Sequence, residues 1–188
     1  MLKTCRFVVL GFLASLTVLS TLPAQAGLLV EPYFGYKFGT FKIETSNQNL
    51  SLSSPQVGAR VGFTFPIIFV AADYGILVGG KFSNGTNLAP DGNAAEGQLF
   101  AEVGAILPLI RFYAGYGVLN TLTYTVNSVD YKAENGTAYK LGIGTTILPL
   151  VAINLTYVGS SYDKYGGTSA IKSSSGFYGV NLSIPFEL

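Results

Sequence analysis

Four charged residues recur at matching heights on successive segments of this chain: Glu31, Arg60, Asp73 and Glu102. Only 11% of the sequence is charged, so the coincidence stands out. Arg60 lies five residues before Phe65, and Glu102 lies five before Leu107. Asp73 lies four after Phe69, and Glu31 lies three after Leu28. If neighbouring segments lie side by side, Arg60 sits between Glu31 and Asp73, with Glu102 one segment further on. Lys37, Arg111 and Lys140 share the same face at other heights. Charges enclosed in a low-dielectric interior must be paired and hydrogen-bonded. Two roles fit such a set. One is an ion-pair cluster that plugs an interior and fixes register. The other is an ion-selective constriction, or a gate that opens when pairs exchange.

Other chemistry is poorly represented. The sequence has no histidine and a single cysteine, Cys5. Ser-His-Asp and Cys-His nucleophiles and His-ligated metals are therefore absent. No close carboxylate pair suggests acid–base work, and the glycines lie in alternating segments or turns rather than in a strand-to-helix phosphate loop. A non-enzyme with no catalytic residues, no metal and no cofactor is expected.

The first 26 residues read as a Sec-type signal peptide. Lys3 and Arg6 make a positive start, an uncharged apolar stretch runs from Phe7 to Leu19, and Ala24-Gln25-Ala26 is an A-x-A site. The apolar stretch is shorter than the ~20 residues a spanning helix needs. Cleavage is expected between Ala26 and Gly27, leaving a single domain over 27–188. That domain loses Lys3, Arg6 and Cys5, so its basic and acidic residues nearly balance. Nothing electrostatic suggests nucleic acid.

The elements that must carry the charges alternate with period two. Val57, Ala59, Val61, Phe63 and Phe65 take one face; Gln56, Gly58, Arg60, Gly62 and Thr64 take the other. The same split places Glu31 and Lys37 opposite Val30, Phe34 and Phe38. It places Asp73 and Lys81 opposite Val70 and Tyr74, and Glu102 opposite Val103. Arg111 opposes Phe112, Lys140 opposes Tyr139, Asn154 opposes Ile153, and Asn181 opposes Val180. Eight strands result. Turns with proline at 65–68, 107–110 and 148–151 alternate with longer polar stretches at 42–54, 82–95, 125–136 and 160–175. The fold class is all-β, an eight-stranded antiparallel up-and-down transmembrane β-barrel, with short turns at one end and long loops at the other.

Volume decides which face meets lipid. An eight-stranded barrel has an interior just wide enough for side chains to fill. The bulky apolar set would crowd it, whereas Gly, Thr, Asn and a few charges fit. Closure also pairs the backbone, as lipid requires. Tyr33, Phe41, Phe63, Phe65, Tyr124, Tyr139, Tyr157 and Tyr178 suit interfacial girdles.

With these features the chain resembles the small eight-stranded outer-membrane proteins of the OmpA membrane-domain and OmpX type, over essentially all of 27–188. Leu182, Ile184, Phe186 and Leu188 alternate as the last strand of those families does, although Pro185 interrupts and the final residue is leucine. The resemblance implies a bacterial outer-membrane, porin-like protein whose terminal strand is read by the barrel-assembly machinery. Its partners would be outer-membrane lipid, lipopolysaccharide and a surface partner reached through the outer loops. The expected function is structural or surface-interacting, with a lumen plugged by ion pairs; the alternative is a channel or transporter for ions or small solutes. A wide aqueous pore is disfavoured, since that takes about 16 strands.

Overall fold

The computed structural model describes residues 26–44, 48–83, 92–145, 151–166 and 171–188. The expected signal peptide lies outside these except for Ala26, as do most of the third proline turn and parts of three outer connections.

The described chain forms β1 (Gly27–Ile43), β2 (Gln48–Thr64) and β3 (Ile68–Leu77, resuming as Gly80–Ser83). These are followed by β4 (Gly92–Ile106), β5 (Ile110–Val126), β6 (Val129–Thr145) and β7 (Ala152–Tyr165). The last is β8 (Ser173–Ser183, resuming as Phe186–Glu187). Each strand pairs antiparallel with its sequence neighbours. β1 also pairs with β8, from Tyr33↔Ser183 to Ile43↔Ser173, and so closes the ring. Closure leaves no strand edge to be solvated. Pro185 interrupts the closing ladder because it has no N–H to give it, although the Ile184 amide still donates to the Pro32 carbonyl at 3.1 Å. Leu28 and Leu188 restore it with two backbone bonds of 2.9 Å.

The proline turns are tight as expected where they are described. The Phe65 amide donates to the Ile68 carbonyl at 2.7 Å, and the Leu107 amide to that of Ile110 at 2.9 Å. The expected outer loops are a different matter. Strands run deep into all of them, and the stretch 125–136 is a hairpin turning on Asn127 and Ser128 alone. Both residues have positive φ, 49° and 64°, as the two-residue turn that matches strand twist requires. Many of the described polar residues that suggested loops, such as Lys42, Ser51, Ser53, Asn93 and Ser161, face outward, while Ser54, Ser160, Ser173 and Ser175 are buried. Phe41, Leu50, Leu52, Phe82, Leu122, Tyr124, Tyr162 and Phe177 alternate with them and pack inward as one apolar core.

The barrel is thus amphipathic in two opposite senses. Towards the short turns it is polar inside and apolar outside. Towards the outer end it is apolar inside, with Thr40, Lys42, Ser51, Ser53, Lys81 and Ser161 outside. The change falls at a row of outward rings. Phe38 stacks on Tyr178 at 6.0 Å, and tilted contacts link Tyr178 to Tyr157 at 5.1 Å and Tyr157 to Tyr139 at 5.9 Å between centroids. Tyr139 lies over Gly159, where a Cβ would come within 2.4 Å of its ring; only glycine lets the ring lie flat. From Leu28 to Phe38 the outward residues of β1 rise by about 23 Å, at ~3.3 Å per residue and ~45° tilt. That matches the ~25 Å apolar band of membrane barrels.

Two phase changes correct the simple alternation. Gly79, with φ 69°, breaks β3, and beyond it Lys81 points outward and Phe82 inward. Lys81 was expected inward. In β5, a bulge opposite Leu99 and Phe100 leaves Val118 and Leu119 both outward, which turns Asn120, Leu122 and Tyr124 into the lumen. Three expected girdle residues are therefore interior: Tyr33 and Phe41, which share parity with Glu31, and Tyr124. Phe63, Tyr139, Tyr157 and Tyr178 do face outward.

Candidate functional site

Arg60 is the centre of the lumen. Its pairing partners in register are Glu31 on β1 and Asp73 on β3. A strand puts directly opposed residues on one face, so the three side chains converge. Arg60 Nη1 donates to Glu31 Oε2 at 2.8 Å and Nε to Glu102 Oε2 at 2.7 Å, and Nη2 lies 3.3 Å from Asp73 Oδ2. The guanidinium also lies over the Tyr113 ring, 4.4 Å from its centroid. Arg60 is 2% exposed and Glu31 is wholly buried, so water screens none of this.

Arg111 and Lys140 belong to the same network, whereas the sequence placed them at other heights. Arg111 grips both oxygens of Glu31, and it donates through Nε to Asn154 Oδ1 at 3.0 Å and through Nη2 to Ser183 Oγ at 3.2 Å. Lys140 Nζ lies 3.0 Å from Asp73 Oδ2 and 2.9 Å from Glu102 Oε1. Heights counted from each turn mislead because tilted strands are staggered around a closed barrel. Tyr33 adds a hydrogen bond to Asp73 Oδ1 at 2.8 Å.

Lys37 does stand apart. It pairs with Glu96 and donates to Gln98 Oε1 at 2.9 Å, with the Phe177 ring 4.8 Å away. Gln98 passes the chain on to Asn120 at 2.8 Å. Glu96 was missed because the stretch 82–95 just before it was expected to be a loop; β4 begins at Gly92. The parity of Ala94, Glu96, Gln98, Phe100 and Glu102 was the available signal. Asn154 was assigned inward but not as an Arg111 partner, since polar residues of such different sequence position gave no cue.

Every inward charge named here has a partner: Lys37, Arg60, Arg111 and Lys140 against Glu31, Asp73, Glu96 and Glu102. Between the two layers lies a cavity of about 20 Å³ walled by Tyr33, Lys37, Asp73, Glu96 and Lys140, with room for a single water. Towards the short turns Leu29, Phe69 and Tyr113 pack below the network, and the apolar core closes the outer end above Lys37. Ala26 and Gly27, the expected cleavage pair, stand at the short-turn end, where β1 begins.

No protein-family model and no curated protein matches the chain. Solved structures do. Neisserial surface protein A is 16% identical and aligns over 86% of this chain and 99% of its own, with a TM-score of 0.57. Ail, the attachment invasion locus protein of Yersinia pestis, is 13% identical in its complex with the heparin analogue sucrose octasulfate. It aligns over 84% of this chain and 99% of its own, with a TM-score of 0.55. The closed antiparallel ring, the apolar belt and these two alignments together establish that the chain has the fold of the small eight-stranded outer-membrane β-barrels.

Proposed function

We propose that the protein is a non-enzymatic barrel of the bacterial outer membrane, with a structural or surface-interacting role and a lumen closed to solutes. One observation supports the reading: the described interior carries ionic and apolar layers along its length. An ion-pair network, a second ion pair and an apolar core lie in series, and the space between the two ionic layers is water-sized. Export would use the signal peptide, with cleavage between Ala26 and Gly27, and insertion would engage the barrel-assembly machinery. With the lumen filled, function falls to the outer surface, where the projecting hairpins and the polar outer wall meet lipopolysaccharide and a surface partner. Loops on a rigid scaffold are the usual place for such contacts.

The test is conductance of the mature protein in planar bilayers, with insertion verified separately by heat-modifiable gel mobility. Inserted protein is expected to be electrically silent. Reproducible openings whose size follows the charge of the Arg60 network would overturn the closed-lumen reading and favour transport of ions or small solutes.

A further inference from the structure

Two grooves lie on the outer wall of β5 to β8, on either side of the aromatic row. The membrane-side groove, about 460 Å³, is apolar and runs between Leu141, Ile143, Leu155 and Tyr178. The outer groove, about 340 Å³, is of another character. Gly159 lies in its floor, Tyr116 and Tyr139 stand on its membrane side, and Thr137, Ser161 and Ser174 line its outer side. Those three hydroxyls are consecutive register partners, Thr137↔Ser161 and Ser161↔Ser174, so they form one rank across three strands. Tyr116 and Tyr139 are likewise opposed across β5 and β6.

We propose that the paired grooves bind one glycolipid of the outer leaflet, its uncharged sugar in the outer groove and an acyl chain in the apolar one; this rests on the reading of the chain as a membrane-embedded barrel. Tyr139 of the outer groove and Tyr157 of the membrane-side groove are in contact, 5.9 Å apart between ring centroids, at the level where the wall changes from apolar to polar, so an occupant of both must be apolar at one end and polar at the other. The polar end is matched to a sugar. Side-chain hydroxyls both donate and accept, as sugar hydroxyls do, and tyrosine rings offer apolar faces with a polar tip. The outer groove has no charged residue in its lining, so a phosphate there would lose hydration without gaining a cation. The nearest cation in the rank is Lys42, the register partner of Ser174 on β1, outside the lining.

The experiment is native mass spectrometry of the folded mature chain, released from detergent with three lipids of identical acyl chains. The lipids are monoglucosyl diacylglycerol, diacylglycerol and phosphatidylglycerol. The glucolipid should be retained about tenfold more than either other, the scale of one or two net hydrogen bonds. The triple variant Thr137→Val, Ser161→Ala, Ser174→Ala changes one wall of the groove, and it should keep heat-modifiable mobility while losing the preference. Lys42→Gln should leave the preference intact. Equal retention of the lipids, preference for phosphatidylglycerol, or a preference that survives the triple variant overturns the site while leaving the barrel reading standing. Failure of the wild-type chain to insert into bilayers overturns both.

Discussion

Arg60→Ala removes the one cation that, among the described residues, touches three carboxylates. Before the change, Arg60, Arg111 and Lys140 balance Glu31, Asp73 and Glu102 in the lower network. Afterwards two cations face three buried carboxylates, and Glu102 keeps only Lys140, at 2.9 Å. An exposed ion pair contributes about 0–1 kcal/mol, whereas removing one partner of a buried pair costs about 3–5 kcal/mol. With Arg60 at 2% exposure the second figure applies. Loss of the guanidinium over Tyr113 adds roughly 1 kcal/mol. The expected destabilisation is therefore about 4–6 kcal/mol. The double variant Arg60→Ala, Glu102→Gln restores the balance of charge, so it should cost less than the sum of its single changes by about 1–3 kcal/mol. Guanidinium unfolding from micelles, followed by far-ultraviolet circular dichroism because the chain has no tryptophan, measures both. A loss under about 0.5 kcal/mol for Arg60→Ala, the level of an ordinary surface change, would refute the reasoning. So would strict additivity in the double variant.

Three further outcomes are expected. Val57→Arg, in the outward belt of β2 opposite Phe34 near the middle of the band, should cost about 2–4 kcal/mol in bilayers, whereas Ser51→Arg, on the same strand beyond the aromatic row, should cost close to nothing; equal costs would misplace the membrane boundary. Ser128→Gly should stabilise the β5–β6 hairpin by about 1 kcal/mol, because φ of 64° strains any residue with a Cβ; an unchanged unfolding midpoint would count against that strain. Gly39→Ala should lower stability by about 1–3 kcal/mol, since its Cβ would meet the Gly176 carbonyl oxygen at 2.1 Å and the Phe177 Cα at 2.7 Å across the closing seam. Gly97→Ala is the matched control, with nothing nearer than 3.7 Å, and a similar loss there would remove the steric explanation.

Where one parity ran unbroken, the sequence was readable to the residue. On β2 the parity of Gln56 to Phe65 placed Arg60 inward, and matching heights found its Glu31 and Asp73 partners. Failures cluster where parity or composition is locally disturbed. Lys81 and Tyr124 were misplaced because a positive-φ glycine and a bulge each shift the phase, and neither leaves a mark that a two-residue period can register. The outer strands were taken for loops because Ser, Thr and Asn dominate their composition. Only burial shows that Phe41, Leu52, Leu122 and Tyr162 alternate behind them as a core.

The sequence by itself determined that the chain makes alternating strands, how many, which end carries the proline turns, and which charges share the interior. These are local properties, fixed by side-chain parity and by the backbone limits of proline and glycine. Beyond the Glu31 and Asp73 partners of Arg60, tertiary structure alone decided what those charges touch. Closing the ring with tilted, staggered strands brings Arg111 from one end of β5 onto Glu31 of β1, and Lys140 of β6 onto Asp73 of β3. It also set the level at which the wall turns from apolar outside to apolar inside. Both depend on distances across the barrel, which no period along the chain records.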